Sequence, residues 1–160
     1  MVIKGIIAED FINYKLPSMV IEFPWCDFKC DKECGQKVCQ NSNLVDYPSY
    51  NISVQNIIKF YLKNDITKAI VFQGLEPFYK TYTQDDWFFL VRSFREHTND
   101  PIIIYTGYNE DELEYEIKLL KHYKNIIIKF GRFIPNQPHH YDEVLGVTLA
   151  SPNQYSRKKC

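Results

Sequence analysis

"PIIIYTGYNEDELEYEIKLLKHYKNIIIKF" (residues 101–130) contains the pattern that decides the fold. Short apolar runs at 101–105 and 125–130 predict buried strands, and residues 109–123 between them predict a helix capped by Asn109. Strand, helix and strand in this order pair in parallel through a right-handed crossover. The segment therefore predicts an α/β fold.

The same alternation extends toward the amino terminus. Strands are predicted at 2–8, 18–23 and 68–72, and helices at 53–64 and 83–97. The strands are apolar without clean alternation, as expected when both faces of a sheet are covered. A complete eight-stranded α/β barrel needs about 250 residues, whereas the chain has 160. We therefore expect a shortened partial barrel, or an open parallel sheet of about five strands, with flanking helices.

Composition favours a single domain over residues 1–160, because 45% of the residues are hydrophobic and 16% are aromatic. Residues 131–160 are predicted to form an irregular tail. The net charge of −1 gives no electrostatic reason to expect nucleic acid or an anionic membrane as the main partner. No apolar run has the length of a membrane span, and early acidic residues argue against a secretory leader, so the expected location is the cytoplasm.

The segment "CDFKCDKECGQKVCQN" (26–41) holds Cys26, Cys30, Cys34 and Cys39, four of the five cysteines in the chain. In a reducing compartment, clustered cysteines are more often metal ligands than disulfides. Four thiolates could bind a structural zinc ion, but zinc ribbons usually place two cysteine pairs on separate segments. The cysteines alone leave three interpretations open: a zinc site, an iron–sulfur cluster and inert thiols.

Three further unusual loops follow predicted strands, and the carboxyl ends of parallel strands share one edge of a sheet. These loops read "QGLEP" (73–77), "YTGY" (105–108) and "FGRF" (130–133). Gly74 permits close approach of a ligand to the backbone. Glu76, held in extended geometry by Pro77, could accept hydrogen bonds from an ammonium group. Taken alone, however, "GLEP" is more typical of a surface turn with a solvated glutamate.

Together the loops resemble those of radical S-adenosylmethionine proteins, and more narrowly those of the activating proteins of anaerobic ribonucleotide reductase. "CDFKC" (26–30) is similar to the first half of the family motif C-x₃-C-x₂-C, and "VFQGLEPF" (71–78) is similar to the family's "GGEP" strand and loop. "IIIYTGYNEDEL" (102–113), "IKFGRFI" (128–134) and "LASPNQ" (149–154) resemble later family segments in the same order.

The resemblance implies two cofactors, a [4Fe–4S] cluster and S-adenosyl-L-methionine. In the family, three cysteines bind three irons, and the fourth iron chelates the amino and carboxylate groups of S-adenosylmethionine. Cys26 and Cys30 match the first two ligands. The third is either Cys39, which is followed by "QN" as in the family, or Cys34; we prefer Cys39.

The resemblance also implies which residues bind S-adenosylmethionine. Glu76 corresponds to the residue that binds the methionyl amino group, and Val38 to the residue that packs near the adenine. The other cofactor-binding residues implied in this way are Gly74, Leu75, Pro77, Tyr105, Thr106 and Gly107. The sequence departs from the family at Leu75, which occupies a glycine position of "GGEP", and at Pro17, which stands in place of a glycine-rich turn.

The implied activity is reductive cleavage of S-adenosylmethionine and formation of a glycyl radical on a large partner enzyme, anaerobic ribonucleotide reductase. The implied electron donor is a protein such as flavodoxin or ferredoxin. In the tail, Asn153 and Gln154 either contact the backbone of the partner or simply pack the tail. Two alternatives remain: a radical S-adenosylmethionine enzyme that acts on a small molecule, similar to the deazapurine synthases, and a non-catalytic binding module stabilised by zinc. Cys160 matches nothing in the family.

Overall fold

A computed structural model describes residues 1–80 and 86–159. The strands are β1 (Val2–Ile3), β2 (Gly5–Asp10), β3 (Ser18–Phe23), β4 (Tyr50–Asn51), β5 (Ala69–Gly74), β6 (Ile102–Tyr105), β7 (Ile126–Phe130), β8 (His140–Asp142), β9 (Val147–Leu149) and β10 (Tyr155–Lys158). The α-helices are α1 (Lys29–Cys34), α2 (Val54–Leu62), α3 (Asp86–Arg95) and α4 (Glu114–Leu120). Short 3-10 helices span Ser42–Asp46 and Glu110–Leu113.

The central sheet has six strands in the order β10-β7-β6-β5-β3-β2. The inner strands β3, β5, β6 and β7 are parallel, whereas β2 and β10 pair antiparallel at the two edges. An α/β fold with a central sheet and flanking helices is therefore confirmed. The expectation of an all-parallel sheet of about five strands is wrong, because the connection at 11–17 is too short for the crossover that parallel pairing needs.

The sheet is open, and over residues 1–80 and 86–159 it does not close into a barrel. The partial barrel is therefore not confirmed. No helix within these two ranges combines the length and the apolar character that crossing a membrane requires.

The helices cover one face of the sheet. Their buried hydrophobic residues are Val54, Ile57, Ile58 and Tyr61 of α2, Trp87, Leu90, Val91 and Phe94 of α3, and Ile117 and Leu120 of α4. Ser53 caps α2, since its side chain accepts the Asn56 backbone N–H. The first three residues of the helix predicted at 83–97 lie outside the described residues. The predicted helix at 109–123 begins as a 3-10 turn, in which the Asn109 N–H donates to Glu112 Oε2 at 2.8 Å.

The opposite face of the sheet is covered by the end of the chain. Leu145 and Leu149 pack with Tyr14 against the strand residues Val20, Val71, Ile103 and Ile127. The predicted irregular tail is thus wrong in part, because β8 and β9 form an antiparallel pair and β10 joins the sheet. These strands are three or four residues long, too short to give a recognisable alternation in sequence.

Candidate cofactor site

A cavity of about 440 Å³ lies where β5, β6 and β7 end, on the sheet face that the tail covers. Its volume is within the range of about 300–1,000 Å³ that is typical of small-ligand sites. Its lining includes Cys26, Cys30, Cys39, Glu76 and Lys129. The tail contributes residues 147–150 to the lining, so the cysteine loop and the tail border the same cavity although they are far apart in sequence.

The structure brings three of the four predicted thiols to this cavity. Interaction with the Cys30 thiol lowers the pKa of Cys39 to about 7, and the same interaction raises the pKa of Cys30. Desolvation by burial raises the pKa of Cys26 to about 12, although the Phe28 N–H donates to its sulfur at 3.2 Å. Cys34 ends α1 and is not part of the lining. Which thiols bind iron stays a prediction.

Two hydrogen-bonding side chains hold the cysteine loop in place. Asp31 Oδ1 accepts the backbone N–H groups of Val38 and Cys39 at 2.8 and 2.7 Å. Asn41 Nδ2 donates to the Gly74 carbonyl at 2.9 Å, which ties the end of the loop to β5. Sequence reasoning missed Asp31, although aspartate side chains commonly accept nearby backbone N–H groups in turns.

Glu76 is buried beneath the cavity, with only 5% of its surface exposed. Its Oε1 accepts the Phe78 N–H at 3.1 Å and the Thr106 hydroxyl at 2.8 Å, and its Oε2 accepts the Gly107 N–H at 2.8 Å. Desolvation raises the pKa of Glu76 to about 7 in spite of these donors. The alternative of a surface turn with a solvated glutamate is therefore wrong.

The glycine of this loop is required by the backbone. Gly74 has a φ of 98°, and a Cβ added there would lie 3.0 Å from Glu22 Cα and from the Phe23 backbone nitrogen. No side chain fits between these strands, so only glycine allows β5 to turn toward Glu76.

Most of the predicted cofactor-binding residues line the cavity. Those that do are Gly74, Leu75, Glu76, Tyr105, Thr106 and Gly107. Val38 and Pro77 are not part of the lining. The Val38 backbone N–H donates to Asp31, and Pro77 is buried in the turn that follows Glu76. The role of these residues in binding S-adenosylmethionine stays a prediction.

Lys129 is a functional candidate that the sequence analysis missed. It is 6% exposed and its ammonium donates to the Gly131 carbonyl at 3.0 Å. Burial lowers its pKa to about 8, and its Nζ lies 5.9 Å from the centre of the Tyr105 ring. Among the described residues, it is the only cationic side chain in the cavity lining, and it has no ion-pair partner. A lysine inside the apolar run "IIIKF" was the signal that could have revealed it.

An ionic network fixes α1 against the neighbouring loops. Arg132 is 6% exposed, and its guanidinium lies 2.7 Å from Glu112 Oε1 and 2.9 Å from Glu33 Oε1. Lys29 of α1 also contacts Glu112 Oε1, at 2.7 Å. Although desolvation opposes ionisation, the hydrogen bonds from Arg132 and Lys29 lower the pKa of Glu112 to about 2. The network therefore holds both ends of α1.

The two polar residues of the "NQ" segment differ in burial, since Asn153 is exposed and Gln154 is buried. Asn153 Nδ2 donates to the Arg132 carbonyl at 2.8 Å, and Gln154 Oε1 accepts the Ala150 N–H at 3.1 Å. Gln154 is only 6% exposed. Both residues hold the tail against the Gly131 loop, because Gln154 Nε2 also donates to the Gly131 carbonyl at 3.4 Å. A contact of Asn153 or Gln154 with a partner stays a prediction.

The donor set at the cavity fits an iron–sulfur cluster, since cysteine thiolates are the usual ligands of such clusters. Each cysteine in a [4Fe–4S] cluster binds a different iron, so the ligands need not surround one point. Within residues 1–80 and 86–159, no group of three or more His, Cys, Asp or Glu side chains is arranged to hold a single metal ion.

Comparison with known proteins identifies one family. The family model described as a 4Fe-4S single cluster domain matches residues 19–149, which is more than half of the chain. The matched range includes the cysteine loop, Glu76 and Lys129. No curated protein and no solved structure matches the chain. The expectation of an iron–sulfur protein is confirmed, and the chain belongs to the family of 4Fe–4S single-cluster domains.

Proposed function

We propose that the chain is a radical S-adenosylmethionine activase that forms a glycyl radical on a larger enzyme, anaerobic ribonucleotide reductase. One observation carries the proposal: Cys26, Cys30, Cys39 and the buried carboxylate of Glu76 line the same cavity in a 4Fe–4S family member. The proposed reaction and the proposed partner rest on the similarity of the loop sequences to those of the activating proteins.

The chain binds and orients the cofactor. When bound, a reduced cluster supplies the electron that splits the sulfonium bond of S-adenosylmethionine. The Glu76 carboxylate offers about four acceptor positions, of which three are used by donors from the protein. The remaining position accepts the methionyl ammonium, and the three internal donors fix its direction.

The other end of the amino-acid moiety is an anion, and Lys129 is suited to bind it. The Lys129 ammonium has three N–H donors, and the Gly131 carbonyl takes one of them. A buried ammonium without an anionic partner is costly, so a carboxylate in the cavity stabilises it. Glu76 and Lys129 thus match the two charges of a methionyl group.

Lys129→Met should weaken the binding of S-adenosylmethionine to the cluster-loaded protein. Loss of a hydrogen bond to a charged group costs about 1.5–3 kcal/mol, which is a roughly ten- to hundred-fold loss of affinity. Methylthioadenosine lacks the amino acid, so its affinity should not change. Equilibrium dialysis with both ligands measures the difference. Lys118→Met, on the exposed surface of α4, is the matched control. An equal loss for both ligands would make Lys129 a structural residue.

The activity itself is tested without oxygen. The reconstituted protein is mixed with reductant, S-adenosylmethionine and the reductase from the same source. We expect 5′-deoxyadenosine and methionine in the products and a glycine-centred doublet in the electron paramagnetic resonance spectrum. Cleavage that a small molecule accelerates, with no doublet, would favour the small-molecule alternative. Absence of cleavage in protein with a full cluster would refute the proposal.

A further inference from the structure

The gap between Cys30 and Cys39 poses a geometric problem. Eight residues separate the two cysteines, yet both line the same cavity. Keeping the ends of such a loop together costs entropy, because a flexible chain of this length samples many separated arrangements. Something in the loop has to hold its ends.

The Asp31 side chain occupies the position where the loop closes. It follows Cys30 directly, and its Oδ1 accepts the N–H groups of Val38 and Cys39 at 2.8 and 2.7 Å. A single carboxylate oxygen therefore joins the first residue after Cys30 to the last residue before Cys39 and to Cys39 itself. Hydrogen bonds to an ionised carboxylate are stronger than those between neutral groups.

The residues between the two ends are directed away from the cavity. α1 ends at Cys34, and the left-handed conformation of the next residue, Gly35, with a φ of 66°, turns the chain. Gln36 and Lys37 are exposed. Cys34 lies on this outward excursion and outside the cavity lining. The loop therefore presents Cys39, and not Cys34, beside Cys30.

We infer that Asp31 is a positioning residue that closes the enlarged cysteine loop and thereby selects Cys39 over Cys34 for the cluster. Its carboxylate takes the place of the short covalent spacing that would otherwise keep the second and third cysteines together. The selection of a cluster ligand rests on the proposed function, whereas the closure of the loop does not.

Two measurements on Asp31→Ala, Asp31→Asn and wild type test the inference. The first is hydrogen exchange at the Val38 and Cys39 amides, which should be about tenfold faster or more in Asp31→Ala, because two hydrogen bonds to a charged acceptor are lost. The second is iodoacetamide labelling of the reconstituted protein, mapped by mass spectrometry. We expect Cys39 to be protected in wild type and labelled in Asp31→Ala.

Asp31→Asn keeps a carbonyl oxygen as acceptor and should restore most of the protection at both positions. Asp46→Ala, at an exposed position in the 3-10 helix that follows the cysteine loop, is the matched control and should behave as wild type. Unchanged exchange and continued protection of Cys39 in Asp31→Ala would overturn the inference. Wild-type protein with slow amide exchange but no iron uptake would instead refute the proposed function and support the loop closure.

Discussion

Cys39→Ala should abolish cluster assembly, whereas Cys34→Ala should leave about four irons per chain, as in a complete [4Fe–4S] cluster. Cys39 lines the cavity with Cys26 and Cys30, and Cys34 does not. The Cys30 thiol also stabilises the Cys39 thiolate, so Cys39 is the more readily deprotonated partner of this pair. Iron and sulfide analysis of anaerobically reconstituted protein, together with its visible absorbance, measures the effect.

The two cysteine variants control for each other, because each removes one thiol from the same segment. Loss of the cluster in Cys34→Ala and its retention in Cys39→Ala would assign the third ligand to Cys34. Stoichiometric zinc in anaerobically isolated wild-type protein, without iron uptake, would be incompatible with both assignments.

Gly131→Ala should lower the free energy of unfolding by about 3 kcal/mol or more, through backbone strain and overpacking. Gly131 has a φ of 96°, and an added Cβ would lie 2.5 Å from the Asn153 carbonyl oxygen. The Cβ is fixed by the backbone of residue 131 and the oxygen belongs to the backbone of Asn153, so neither atom can move away by a side-chain rotation. Relief of the clash would displace the segment that contains residues 147–154, and with it one side of the cavity. Urea denaturation under reducing conditions measures the change.

Gly35→Ala is the matched control for this effect. Gly35 also has a positive φ, of 66°, but no atom lies within 4 Å of its added Cβ. Its free energy of unfolding should fall by only about 1–2 kcal/mol, which is the cost of placing alanine in the left-handed conformation. Equal losses in the two variants would mean that backbone conformation alone matters and that the tail is not tightly packed against Gly131.

The sequence revealed the centre of the fold better than its edges. β5, β6 and β7 are apolar on both faces because helices cover one side and the tail the other, so each appears as a continuous hydrophobic run. β10 reads "YSRK" and is largely exposed at the edge, so nothing in its composition marks a strand. Its pairing with β7 depends on the path of the tail, which local sequence does not determine.

Position along the chain was sufficient to predict which loop residues lie together, whereas their role in binding stays a prediction. Glycines and polar residues directly after parallel strands reach the same edge, which places Glu76 and Thr106 together. Side-chain direction within a turn does not follow from spacing, and Pro77 consequently lies outside the lining. Lys129 was missed because it lies within a predicted buried strand and was treated as part of that strand only. A buried ammonium is costly unless it is paired, so a single lysine in an apolar run is a candidate for binding an anion.

The wall formed by the tail has a consequence for biosynthesis. Residues 147–150 leave the ribosome about a hundred residues after the cysteine loop. At translation rates of about 5–20 residues per second, this delay lasts roughly 5–20 s. During that interval the nascent chain already carries its thiols while the side of the cavity that the tail will cover is still open to solvent. The order of synthesis therefore leaves the cysteines accessible from that side before the cavity is complete.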